Sequence, residues 1–460
     1  MKIELTRLWK KVLVAGAMTA LVAGTMSAPP SVYAAGTIKA DDDKWISIGM
    51  GIRTSFNAVE NGAGVAGAPH YSNEIGIDNA RIYINGKVHK YVGFEFNTDC
   101  FNCFIKAGSG SFINPNATSA NGVFGQNFGG NSSIGLLDAI GKFEFDEKFN
   151  LWVGRMLLPS ERGVLNGPFY HATYDGFRTP FFPADQSGNF NNGAGLYGRD
   201  NAATFWGKFH PFGTHVLYAV AVSQGLRGAG PNTGNSLMYT GRLQWNLLND
   251  EKNPGYYTSG TYYGTAGDIL AIAGSVQHQK DGAGASPIAG TGIHKSDFTA
   301  LSVDLLFEKL LPNNMGVFTF NGEFKRFFAN YGQGTANDAA PVTGAGLASP
   351  LAGGSGCFCV FNGHSWSVYG LWLIPQEIGI GRFQPYVRYT SVSPIYGNNR
   401  NEWEPGINYV ISGHNARISA FYRYGDLQNF GPAGGNFISG NGANGNQRVD
   451  SFHVALQLQY

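Results

Sequence analysis

The sequence predicts an all-β fold, a transmembrane antiparallel β-barrel of about 16 strands with long external loops. Three observations predict it. An export signal opens the chain, segments of strict two-residue alternation recur down to the last residue, and charge is scarce while aromatic residues and glycine are plentiful.

The signal runs over Met1 to Ala34. A basic start (Lys2, Arg7, Lys10, Lys11) precedes an apolar run from Val12 to about Thr25, and Val32-Tyr33-Ala34 prepares cleavage after Ala34 or Ala35. That run is too short for a membrane-spanning helix, which needs about 20 apolar residues, and no second long apolar stretch follows. The expected organisation is a signal at 1–34, a short periplasmic leader at 35–44 and a barrel at 45–460.

Charged residues make up 14% of the chain, against about 25% in ordinary soluble domains. Mean hydropathy is nevertheless −0.14, because apolar residues alternate with polar ones and do not cluster. With 66 glycines and 14% aromatics, this composition suits a lipid-facing wall joined by long polar loops. A net charge of +1 gives no case for a nucleic-acid partner.

The first strand is Trp45 to Arg53, with Ile46, Ile48, Met50 and Ile52 on one face. The acidic run Asp41 to Asp43 before it reads as a solvated periplasmic tail. Ile75 to Asn85 follows a glycine-rich loop, and Gly86 turns the chain into Val92, Phe94 and Phe96 alternating with Tyr91, Gly93 and Glu95. Short turn and long loop then alternate down the sequence, as in bacterial outer-membrane barrels. Further strands are expected at 134–145 and 149–157, at 202–209 with Ala203, Phe205 and Phe209 opposite Thr204, Trp206 and Lys208, and at 216–222 after Pro211-Phe212-Gly213. The clearest is 237–247, where Leu237, Tyr239, Leu243, Trp245 and Leu247 oppose Met238, Thr240, Arg242, Gln244 and Asn246.

Its partner is 268–279, and the connection Leu248 to Gly267 is too long for a periplasmic turn, a departure from the rhythm. Strands at 297–307, 315–328, 365–374, 382–391, 404–412 and 416–425 follow. Pro385, lacking a ladder N–H, belongs at a rim. The last strand places Phe452, Val454, Leu456, Leu458 and Tyr460 toward lipid and His453, Ala455, Gln457 and Gln459 toward the interior. An even count leaves both barrel ends on the periplasmic side and lets the last strand pair with the first.

Sixteen strands leave a lumen, in which an aqueous channel is expected. The inward charges are mixed in sign: Arg53, Arg81, Glu95, Asp138, Lys142, Glu144, Lys208, Arg242, Asp304, Glu323, Lys325, Arg388, Arg417 and Arg423. Taken singly, each reads as a plain solvated lumen charge.

The stretches Asp78–Gly86 (DNARIYING), Gly154–Arg162 (GRMLLPSER), Arg382–Tyr389 (RFQPYVRY) and Ser412–Arg417 (SGHNAR) resemble the phosphate-selective porin O/P family. The resemblance covers most of the mature chain. It implies a homotrimeric sixteen-stranded anion porin with its third external loop folded into the lumen, and Pro159 to Asp200 matches that loop by position. Loops of such length are uncommon without a function, which also argues that it narrows the lumen. The family's selectivity rests on dense arginine ladders with a lysine at the narrowest point. Here the loop holds Arg162, Arg178 and Arg199, diluted by Glu161, Asp175, Asp185 and Asp200. The expected constriction and lumen residues are Arg155, Arg162, Arg178, Arg199, Lys208, Arg242, Arg388 and Arg423, giving weak anion preference without a strong phosphate site. Arg53, far from the loop in sequence, is expected to matter less.

Cys100-x-x-Cys103 and Cys357-x-Cys359 lie in two external loops. In an exported protein paired cysteines point to disulfides, local or cross-loop. A site of four thiolates binding metal has less support, because the second spacing is tighter than usual for zinc. Phe104 in place of histidine excludes covalent c-type haem attachment. No cofactor or metal is expected, and His89, His171, His210, His215 and His414 read as ordinary polar residues of turns and loops.

The expected function is passive diffusion of small polar or anionic solutes through a porin of the bacterial outer membrane, surrounded by lipid and lipopolysaccharide. Two other classes are considered. One is a barrel sheathing a partner such as a cytochrome. The other is an outer-membrane barrel hydrolase, which needs serine, histidine and an acidic or amide partner on adjacent strands. No Ser/His pair at matching depth is evident, and no enzyme is expected.

Overall fold

A computed structural model describes residues 36–60, 71–101, 133–174, 198–225, 236–285, 294–329, 363–394, 399–425 and 448–460. Sixteen strands form a closed antiparallel barrel. The first eight are β2 (Lys44–Glu60), β3 (Tyr71–His89), β4 (Val92–Phe101), β5 (Ser133–Glu144), β6 (Asn150–Leu157), β7 (Arg199–Phe209), β8 (His215–Ser223) and β9 (Met238–Asn246). The second eight are β10 (Ile269–Ala285), β11 (His294–Leu310), β12 (Val317–Ala329), β13 (Gly363–Leu373), β15 (Gly381–Pro394), β16 (Arg400–Ser412), β17 (Ala416–Gly425) and β18 (Val449–Gln459). Two short strands, β1 (Gly36–Asp41) and β14 (Glu377–Ile378), hang on β2 and β15 as hairpin arms.

Closure comes from β18 against β2, in register from Ser451 opposite Val59 to Gln459 opposite Gly51. Tyr460 and Met50 then exchange backbone hydrogen bonds at 2.7 and 3.0 Å. Below that point β1 takes over the same edge of β2, with Gly36 opposite Ile48 and Asp41 opposite Lys44. The leader is therefore part of the wall and no trailing tail. Its acidic run sits in the hairpin turn, where Asp41 accepts from the Asp43 N–H at 2.9 Å.

The alternation works as the sequence indicates. Met50, Tyr239, Leu243, Val276, Val303 and Trp403 point outward and are exposed, whereas Thr240, Arg242, Gln244 and Asn246 on the opposite face of β9 are buried. Among the short turns, Pro211-Phe212-Gly213 and Pro312-Asn313-Asn314 each place a residue at positive φ directly after the proline. β2 and β3, at 17 and 19 residues, exceed the 9–11 or so that cross a bilayer and carry the wall past the membrane on the external side. Pro385 lies where the ladder to β13 stops, one residue beyond the Leu371–Tyr386 pair. An apolar exterior around a polar interior, on a closed wall of sixteen strands, makes this a bacterial outer-membrane protein.

Because β18 supplies one edge to β17 and the other to β2, deleting Phe452–Tyr460 leaves two open edges. The truncated chain is expected to remain a protease-sensitive periplasmic species without heat-modifiable migration on gels, whereas the intact chain shows that migration.

Candidate functional site

Two chain segments enter the barrel from opposite ends. The external insert leaves β6 at Leu157, makes one helical turn, α1 (Arg162–Leu165), and is followed to Tyr174. Every residue from Leu158 to Tyr174 except Tyr170 is buried, so the expected lumen-folded loop is observed over this portion. The second insert is Leu248 to Gly267. It is no periplasmic turn: it rises between β9 and β10 into the barrel, burying Glu251, Tyr256 and residues 258–263.

The inserts meet through polar contacts around an apolar centre. Tyr256 donates to the Leu157 carbonyl at 2.6 Å, Thr258 to Asn166 Oδ1 at 2.7 Å, and the Gly260 N–H to the Tyr170 carbonyl at 2.9 Å. Beside them Trp152, Trp206, Leu157, Val164, Leu165 and Tyr256 form one buried cluster. Gly255 permits this docking: its φ is +59°, and a Cβ there would lie 2.3 Å from the Trp152 ring. Glu308 anchors the far end of the second insert, accepting from Thr261 Oγ1 at 2.7 Å and from the N–H groups of Tyr262 and Gly264 at 3.0 and 2.8 Å.

Most of the charges expected to be solvated are instead buried, and most of them are paired. Arg162 binds the Glu251 carboxylate through both terminal nitrogens at 2.8 and 2.7 Å, and Asp304 accepts from its backbone N–H at 3.1 Å. Arg242 grips Asp304 at 2.5 and 3.0 Å, and Lys325 holds Glu161 at 2.5 Å. Arg199 grips Asp138 at 2.6 and 3.1 Å, and Lys208 meets Asp250 at 2.7 Å. Arg388 and Arg423 share Glu404, the second at 2.7 Å. Arg155 is 9% exposed on β6. Arg178, Cys103, Cys357 and Cys359 lie outside the described residues, as does the side chain of Cys100 on β4.

Three arginines seize the last turn of the external insert. Arg53 donates to the Tyr174 carbonyl and stacks over its ring at 4.0 Å. Arg388 donates to Thr173 Oγ1 at 2.8 Å, and Arg417 to the carbonyls of His171 and Ala172 at 2.9 Å each. Arg53 is thus a direct holder of the insert, and its distance in sequence misleads because barrel closure brings β2 back to the seam. Arg417, fully buried, has only neutral acceptors among the described residues. Sequence reasoning missed Glu251 and Asp250 as lumen groups, since nothing in the spacing of a long turn says that it folds inward. It also missed that Ser451 and His453 share the interior face of β18.

His414, in the turn between β16 and β17, packs against the rings of Tyr170 and Tyr263 and bonds the Thr261 carbonyl at 2.9 Å. Burial, with Arg417 adding to it, pushes its imidazole down to about 3. Asp268, in the turn entering β10, is lowered by its hydrogen bond from Lys309 and a second from the Leu310 N–H.

No protein-family model matches the chain, and no curated protein matches it. Solved structures similar to it include the outer-membrane OmpT of Vibrio cholerae (11% identity, 92% of this chain and 100% of that one, TM-score 0.46). Others are an anion-selective porin from Comamonas acidovorans (11%, 90% and 99%, 0.48) and the outer membrane channel DcaP of Acinetobacter baumannii (10%, 93% and 100%, 0.47). At these scores nothing about this chain's solute or assembly follows.

Two outcomes are expected. Arg162→Met removes the cation that pairs the buried Glu251 carboxylate, while Asp304 keeps Arg242, and should cost about 3–5 kcal/mol, read as a lower temperature of heat modification, with Glu251→Gln in the same background restoring part of the loss. His414 has a folded pKa below its unfolded value of 6.5, so its contribution is fully present above pH 6.5 and is lost as pH falls toward 3. Heat-modification temperature should drop over that window, and His414→Gln should shallow the slope.

Proposed function

We propose that the chain forms a narrow outer-membrane channel through which small ions and polar solutes diffuse, with a weak preference for anions. One observation carries this reading: a polar, charge-lined interior, enclosed by an apolar wall, is narrowed by inserts from both ends whose charges largely cancel. Fixed charges inside a low-dielectric wall bias ion entry strongly only when they are uncompensated. Arg162, Arg199, Lys208, Arg242, Arg388 and Arg423 each face a carboxylate. That pairing argues for weak selectivity and against a strong phosphate site, with Arg417, whose acceptors among the described residues are neutral, supplying the residual preference.

The same inserts occupy the space that a sheathed partner protein would need, which disfavours the scaffold reading. Lipid and lipopolysaccharide surround the wall, and the outer face supports a homotrimer in one sector. β2 and β3 present Ile48, Met50, Ile52, Ile75, Ile77 and Ile82, with Phe56 and, at the external start of β3, Tyr71 as their outward aromatics among the described residues. β12 alone exposes Phe318, Phe320, Phe324 and Phe328. An aromatic girdle marks lipid interfaces, and its interruption suits contact with another copy.

Single-channel recordings across a KCl gradient test the reading. The wild-type barrel should give a small reversal potential on the anion side, with phosphate blocking chloride current only at about millimolar concentration, since one screened Arg contact is worth roughly 1 kcal/mol. Glu251→Gln, which removes one of the two carboxylates facing Arg162, should enlarge the anion preference. Clear cation selectivity of the wild type, or no conductance at all, rejects it.

A further inference from the structure

We propose that the barrel carries, besides its channel, an acyl-transfer site in which Ser451 is the nucleophile, His453 the general base and Asn57 the group that orients the base, acting on small esters that enter from the external end. Ser451 and His453 are two residues apart on β18 and therefore share its interior face. Ser451 Oγ lies 2.7 Å from His453 Nε2, and His453 Nδ1 lies 2.5 Å from Asn57 Oδ1. Asn57 stands directly opposite His453 across the closing seam.

The contact with Asn57 favours one tautomer. The Asn57 amide nitrogen donates to Ser55 Oγ at 3.1 Å, which turns its oxygen toward the imidazole. That oxygen accepts only, so Nδ1 carries the hydrogen and Nε2 presents its lone pair to the serine hydroxyl. Phe421, paired with His453 on β17, stacks on the ring at 4.6 Å with an interplanar angle of 11°. The base is thereby held in one orientation. Serine, histidine and an orienting oxygen within hydrogen-bond reach are the parts that acyl transfer needs, recognised by geometry and independent of fold.

The step balances with water as the second reactant. Ser451 Oγ bonds to the ester carbonyl carbon while its proton passes to His453 Nε2. Collapse of the tetrahedral intermediate breaks the bond to the leaving oxygen, which departs as alcohol with that proton. Water, losing a proton to the same nitrogen, then attacks the acyl-serine. The acid leaves and the hydroxyl is restored. Because Ser451 is fully buried and His453 is 6% exposed, the proposal is confined to esters with a small acyl group.

The test uses full-length folded protein in detergent, with 4-nitrophenyl acetate as substrate and a fluorophosphonate as covalent probe, the labelled peptide being mapped. Label should appear on Ser451 in folded protein and disappear after denaturation. Ser451→Ala should lose the label and at least about 100-fold of the turnover. Asn57→Ala should lower kcat. Asn57→Asp should retain activity but move the rising limb of the rate profile to higher pH, because a carboxylate beside Nδ1 favours the imidazolium, a shift that a purely structural role would not produce. Each variant should keep heat-modifiable migration and wild-type conductance. An unlabelled Ser451 in a conducting barrel, or equal turnover by Ser451→Ala, overturns the proposal. Failure of the channel reading shows separately, as a folded wild type that does not conduct.

Discussion

Everything in this barrel follows from the absence of water in the bilayer core. A backbone N–H or C=O that meets hydrocarbon unpaired costs several kcal/mol, so the sheet has to close, and it closes by laying β18 against β2. Sixteen strands set a circumference, and that circumference encloses more space than the wall's own side chains can fill. The chain answers by folding two of its connections inward. Trp152 of the wall, Val164 of the external insert and Tyr256 of the periplasmic one end up in a single buried cluster, so wall and inserts share one interior.

Filling a lumen with polar chain has an electrostatic consequence. A charge removed from water must be paired and hydrogen-bonded or it is prohibitively costly. Asp304 illustrates the solution: on the wall itself, it receives the Arg162 backbone N–H from the external insert and both terminal nitrogens of Arg242 from β9. Glu251 does the same from the other end, bridging Arg162 and Gln244 and accepting from Tyr262 at 2.6 Å. These contacts are what make the interior charge-rich yet nearly self-compensated. Such pairs are weak evidence for stability in themselves. Their geometric effect is firmer, since each ties an insert to one place on the wall.

Most of the wall was legible in the sequence because alternation is a local signal: Leu237, Tyr239 and Leu243 against Thr240, Arg242 and Gln244 identify both a strand and its faces without any partner. The inserts were legible only in part. The external one is long enough to demand an explanation, whereas Leu248–Gly267 has no period and was read as an oversized turn. Pairing was not legible at all. Arg242 and Asp304 are 62 residues apart, Arg388 and Thr173 are 215 apart, and His453 and Asn57 are 396 apart. Only barrel closure and strand register bring such residues together. The sign of each interior charge could be read, and its neutralisation could not.

The division of one edge of β2 between two strands bears on how the seam finds its register. Sliding β18 by two residues keeps every side chain on its proper face, so alternation gives no protection against that error. The hairpin arm does. β1 already occupies the ladder opposite Lys44 to Ile48, immediately beyond the Tyr460–Met50 contact, so a C-terminal strand advancing toward the periplasm runs into a filled edge. The six residues of β1 thus act as a doorstop for β18, and the barrel measures its own closure by length where pattern alone would leave it ambiguous.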